Sequence, residues 1–76
     1  MLNAEIVGQV IQRFLEERKL SQEMVSGLAG IGRTHLSALE RGERKPTLET
    51  FYKIGEAMRV KPSVILEEIE KEMDKR

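Results

Sequence analysis

Cysteine and tryptophan are missing from this 76-residue chain, and histidine and aspartate occur once each, as His35 and Asp74. Without cysteine there is no disulfide framework, no thiolate nucleophile and no cysteine-based zinc site. With a single histidine and a single aspartate, acid–base pairs, nucleophile triads and histidine-rich metal sites have no members to assemble. Neither an enzyme nor a metal or cofactor site is therefore expected. The longest uninterrupted apolar run is Val64-Ile65-Leu66, far short of the ~20 residues that a membrane span needs. Met1-Leu2-Asn3-Ala4-Glu5 has neither the positive flank nor the apolar stretch of a signal peptide. The expectation is a soluble, cytoplasmic chain with no membrane partner, forming one small domain over residues 1–76. A domain of this size buries only roughly 60% of the surface its unfolded chain exposes, so its core is small.

Charge of one sign is also missing: thirteen basic residues balance thirteen acidic ones. The balance is uneven along the chain. Residues 33–61 carry seven cations against four anions, whereas residues 1–32 carry three against four and residues 62–76 three against five. For a polyanionic partner the distribution matters more than the total. On charge alone, a basic middle third facing nucleic acid and an ordinary solvated surface are equally good readings.

Apolar spacing and punctuation predict an all-α chain of five helices. Aromatic residues are few (Phe14, Phe51 and Tyr52), and no stretch alternates with period two for long. The first helix is expected from about Ala4 to Lys19 behind an Asn3 N-cap, with Ile6, Val7, Val10, Ile11, Phe14 and Leu15 spread over about half its circumference. Ser21 caps a second helix, Gln22 to Ala29, which ends at Gly30. Gly32 precedes a third, Arg33 to Arg41, closed by Gly42. Thr47 caps a fourth, from Leu48 to about Met58, with Leu48, Phe51, Ile54, Gly55 and Met58 inward. Pro62 opens a fifth running to about Met73, with Ile65, Ile69 and Met73 on one face and Leu66 beside them. The core is expected over residues 4–66.

The informative segment is SQEMVSGLAGIGRTHLSALERG, residues 21–42. Two short helices joined through a glycine-containing turn match a helix-turn-helix. Val25, Ala29 and Ile31 bring apolar groups to the angle between them, small Ser26 lets them approach, and Leu36 and Leu39 plant the third helix on the core. At ~100° per residue, Arg41, Thr34, Ser37 and Ala38 lie opposite the leucines with Arg33 flanking them, while His35 falls nearer the core. Small and polar side chains plus arginine suit a helix entering a DNA major groove, where bulk would hold the backbone off the bases. A plain solvated helix would look similar.

From about Ile11 to Leu66 the chain resembles the Cro/phage-repressor (XRE-type) helix-turn-helix family. The resemblance rests on a Ser-Gln pair, an Ala-Gly turn, a Leu-Glu-Arg-Gly helix end and a Pro-Thr-Leu-Glu-Thr helix start. It implies a compact five-helix, lambda-repressor-like DNA-binding domain whose second and third helices form the motif. It also implies a transcriptional regulator that binds double-stranded operator DNA, usually as a two-fold homodimer. On matching positions it implies base readout by Arg33, Thr34 and Ala38, with Ser37 close by. Backbone phosphate contacts fall to Gln22, Arg41, Arg44, Lys45 and Thr47.

Several positions depart from the pattern. Leu15 stands where many members have an arginine that can pair with the glutamate matching Glu40, so Glu40 needs another partner, Arg18 or Arg44, or stays solvated. Ser26, Gly32 and Lys61 replace the usual alanine and two serine or threonine caps. The apolar faces Val7, Ile11, Leu15 and Ile65, Ile69, Met73 look larger than a minimal core can cover. They are expected to form a homodimer interface; the simpler alternative is that the two ends of the chain pack on each other. The acidic run Glu67 to Asp74 would repel DNA and should point away from it. A different class of function, an antitoxin or adaptor module that chiefly binds a protein partner, also fits a chain of this length.

Overall fold

The structure, a computed structural model, describes residues 2–75. Five helices follow one another: α1 (Ala4–Glu17), α2 (Gln22–Ala29), α3 (Arg33–Glu40), α4 (Leu48–Met58) and α5 (Pro62–Asp74). No strand occurs among the described residues. None of the helices is long and apolar enough to cross a membrane.

The caps explain where the helices start. Asn3 Oδ1 accepts from the N–H groups of Glu5 (2.9 Å) and Ile6 (3.2 Å), Ser21 Oγ from Met24 (3.0 Å), and Thr47 Oγ1 from Thr50 (3.1 Å). Each satisfies donors that the first helical turn leaves open. The stops are equally local. α1 ends two residues earlier than expected because Lys19 turns left-handed (φ 55°) and the Leu20 N–H returns to the Leu15 carbonyl at 2.9 Å. Gly30, at φ 71°, ends α2 and makes the turn of the motif.

Packing closes into a ring: α1 touches α3, α3 touches α2, α2 touches α4, α4 touches α5, and α5 returns to α1. Each helix places at least one side chain at its centre. Ile11, Val25, Leu36, Leu39, Ile54 and Ile65 are all 0% exposed.

This ring corrects the expected dimer surface. The α1 stripe is broad because α1 has partners on two sides, α3 and α5. Val7, Ile11, Leu15, Ile65 and Ile69 are buried within one chain, and Met73 packs half-buried against the same core. The two ends of the chain cover each other, and Arg13 fastens them through ion pairs to Glu68 (3.0 Å) and Glu72 (3.9 Å). α4 also differs in one position. Phe51, Ile54, Gly55 and Met58 face inward as expected, but Leu48 is 75% exposed.

The tightest crossing sits where α1 passes the end of α3. A Cβ on Gly8 would lie 2.3 Å from the Leu39 carbonyl oxygen and 2.6 Å from that of Glu40. Only glycine permits this approach, and backbone atoms cannot yield as a side-chain tip can. Gly27 is the opposite case, an exposed helical glycine with nothing within 4 Å of an added Cβ. Gly8→Ala should therefore destabilise the fold by ~1–3 kcal/mol through overpacking, while Gly27→Ala should stabilise it by up to ~1 kcal/mol through helix propensity. Thermal unfolding of the two variants beside the wild type checks both signs. Equal melting of all three would contradict the crossing.

Candidate nucleic-acid interface

α3 stands on the protein through Leu36 and Leu39, both fully buried. The 3.6-residue period then leaves Arg33 and Thr34 exposed and Ser37 and Ala38 half-buried at the opposite face. Ser26 of α2 is 4% exposed, and its hydroxyl donates to the Glu23 carbonyl at 3.2 Å. Gly32 provides no side-chain cap for α3, so no side chain competes for the N–H groups at the tip where Arg33 begins. The result is a short helix with an arginine at its outer end and small side chains behind it.

The expected phosphate contacts differ in how free they are. Arg44 is exposed. Lys45 is exposed and donates through Nζ to the Leu2 carbonyl at 3.2 Å. The Thr47 hydroxyl is committed to its cap and to the Thr50 hydroxyl (3.0 Å). Arg41 forms a fork with Glu43, Nε to Oε2 at 2.7 Å and Nη2 to Oε1 at 3.1 Å, and its Nη1 donates to Ser37 Oγ. That hydrogen bond, with the attraction between the charges, raises the Arg41 pKa and holds the Glu43 carboxyl below the ordinary glutamate range. A phosphate approaching Arg41 would compete with Glu43 for it, and Ser37 would be released in the same event.

Gln22, the first residue of α2, is half-buried. Here the expected partners of Glu40 are corrected. Glu40 is 8% exposed rather than solvated, and its Oε2 is buried with no hydrogen-bond partner. Arg18 instead lies over the Phe14 ring, 4.8 Å from its centroid. The cause is Leu15, which is itself buried and brings no cation to this side of α3. Burial pushes the Glu40 carboxyl above the usual range; the Gln22 hydrogen bond opposes this, and the charge of Glu16 adds to it.

Beside the basic loop lies an apolar groove of about 230 Å³. Leu2, Pro46, Leu48, Phe51 and Leu66 line it with Lys45 and Thr47, and Val7 and Ile69 contribute to its wall. Sequence reasoning missed this groove because it assigned Leu48 to the core. It also missed Gly8, although a lone glycine within the apolar stripe of α1 is a legible sign of a close helix crossing. The burial of Glu40 had no signal in sequence spacing.

An uncapped, arginine-tipped helix on a two-helix platform, flanked by a basic loop, defines a helix-turn-helix protein. The chain belongs to that family: the model described as "Helix-turn-helix" matches residues 11–65. The chain is 39% identical over 56 residues to the uncharacterized HTH-type transcriptional regulator y4dJ of Sinorhizobium fredii, covering 74% of this chain and 73% of the relative. It is 32% identical over 63 residues to the control protein C.BamHI of Bacillus amyloliquefaciens, covering 82% and 78% of the two chains. Its fold is similar to that of the restriction-modification controller protein C.AhdI from Aeromonas hydrophila, with a TM-score of 0.80 and 26% identity over 86% of this chain and 98% of that one.

The buried carboxylate makes stability depend on pH with a definite sign. A glutamate whose folded pKa is raised contributes most to stability in acid, below its unfolded pKa. That contribution is lost as pH rises through the raised folded value. Glu40→Gln should therefore raise the unfolding free energy at neutral pH, and the gain should vanish near about pH 4, as urea titrations at the two pH values would read. A variant less stable than wild type at neutral pH would show that the ionised carboxylate is favourable where it sits.

Proposed function

We propose that this chain is a sequence-specific double-stranded-DNA-binding transcriptional regulator, working in the cytoplasm on cellular DNA as a homodimer. The observation that carries this reading is the exposure of Arg33 and Thr34 on a helix rooted by Leu36 and Leu39. Arg33 is suited to a bidentate guanine contact, Thr34 and Ser37 to base edges, and Ala38 to a thymine methyl. Gln22, Arg41, Arg44, Lys45 and the N–H of Thr47 would position the duplex through its phosphates. The regulator, control-protein and controller-protein names of its relatives support a role in transcription.

The dimer reading is supported by a different surface from the one the sequence suggested. Leu48 protrudes at the edge of the apolar groove, so ridge and groove belong to the same patch. A two-fold contact is self-complementary by construction, and Leu48 of each copy can seat in the groove of the other. Two recognition helices spaced ~34 Å apart would then read a pseudo-palindrome. Leu48→Glu places a charge in that contact without touching the core. At tens of micromolar the wild type should sediment as a dimer and this variant as a monomer with unchanged helical circular dichroism. A monomeric wild type, or a variant that stays dimeric, would contradict the assignment.

A second reading, a module that chiefly binds a protein, draws on Met24 (51% exposed) and Leu28 (68% exposed), one turn apart on α2. Selection of bound fragments from a genomic library, followed by affinity measurements on the recovered sequence, separates the two. A DNA-reading dimer should yield a two-fold symmetric site, with affinity falling steeply with salt as counterions are released. Arg33→Ala should cost ~1–3 kcal/mol and relax one base position in each half-site. Binding that is equally weak on every duplex and flat with salt would favour the protein-binding module.

A further inference from the structure

We propose that Glu43 occupies on Arg41 the place of a DNA phosphate, and so lowers DNA affinity until docking exchanges carboxylate for phosphate. The proposal rests on the reading that phosphates meet the end of α3. Glu43 is set in position by the way that helix stops. Gly42 turns left-handed (φ 76°), its N–H donates to the Leu39 carbonyl at 3.1 Å, and the Glu43 N–H donates to the Ala38 carbonyl at 3.0 Å. This double closure of a helix end fixes the residue after the glycine. A Cβ on Gly42 would also lie 2.8 Å from the Glu5 Cα, so the turn lies close against the start of α1. From there the two Glu43 oxygens take Nε and Nη2 of Arg41 at 2.7 and 3.1 Å. A guanidinium offers side-by-side donors to a phosphate in the same forked manner as to a carboxylate.

An acid at this position does little for the fold. The C-terminal end of a helix carries partial negative charge and disfavours a carboxylate, and an exposed ion pair adds little stability. The Arg41 and Glu43 side chains are 53% and 57% exposed, so an arriving phosphate can reach the fork. The remaining Arg41 contact, from Nη1, goes to Ser37 Oγ one turn back on α3. One carboxylate thus restrains a phosphate donor and, through it, a hydroxyl on the outer face of the helix. When a phosphate takes Nε and Nη2, Glu43 returns to water and Ser37 is freed for a base edge, so backbone contact and base contact at this end of α3 come together. The exchange costs the Arg41–Glu43 pair. Removing Glu43 beforehand removes that cost.

The test uses the full chain and its selected duplex at neutral pH and constant ionic strength. Dissociation constants are measured for wild type, Glu43→Gln, Arg41→Gln and the double variant. Glu43→Gln should bind ~2- to 5-fold tighter than wild type for each bound chain, the range set by an exposed ion pair. In the Arg41→Gln background the same substitution should gain much less, because the pair it would release is already gone. An equal gain in both backgrounds would show that Glu43 merely repels the duplex, and no gain in either would show that Arg41 is not restrained. Either result overturns the proposal while leaving the DNA reading intact. The Arg41 Nε–H gives a readout that needs no DNA. In the free protein it should exchange with solvent more slowly in wild type than in Glu43→Gln, and equal exchange would overturn the proposal. No binding of wild type or any variant to any duplex would overturn both the proposal and the DNA reading.

Discussion

The seating of α3 is the constraint on which the rest of the structure depends. Leu36 and Leu39 sink completely into the centre of a closed ring of five helices, and α1 braces the far end of α3 through a crossing that Gly8 alone permits. Because two leucines three residues apart fix the rotation of a helix, they also fix which residues point away. Arg33 and Thr34 are exposed as a consequence of that burial. The core and the candidate recognition surface are two sides of one eight-residue helix.

The surroundings of α3 divide into groups that are free and groups that are already engaged. Arg33 and Arg44 extend into solvent, whereas Arg41 is held by Glu43 and Ser37. Exposed ion pairs such as Arg41–Glu43 contribute little to stability, so exchanging one for a phosphate costs little. The buried Glu40 carboxylate is different. Its desolvation is compensated only in part by the Gln22 amide.

Much of this was legible in the sequence, for physical reasons that differ by element. Asn3, Ser21 and Thr47 have side chains that satisfy open N–H groups, so the helix starts fall where those residues stand. Gly30 marks the turn because its left-handed backbone suits few other residues. The face of α3 followed from the spacing of its leucines. What sequence could not supply was the number of neighbours each apolar face would find. Val7, Ile11 and Leu15 looked surplus because one helix stripe normally meets one partner, whereas α1 meets two. Leu48 looked internal because it begins an apolar period, yet at the first position of α4 it lies beyond the edge of the ring. The fate of Glu40 depended on contacts between helices that no local pattern encodes.

DNA binding at the outer face of α3, with the start of α2, is open to direct test. Mapping backbone amide chemical shifts along the chain as the selected duplex is titrated in tests it most directly. The largest changes should gather at Arg33, Thr34, Ser37 and Ala38 and at Gln22, with smaller ones through Arg44 and Lys45. Changes confined to Met24, Leu28 and the adjoining face of α4, with Arg33 to Ala38 unmoved, would contradict it.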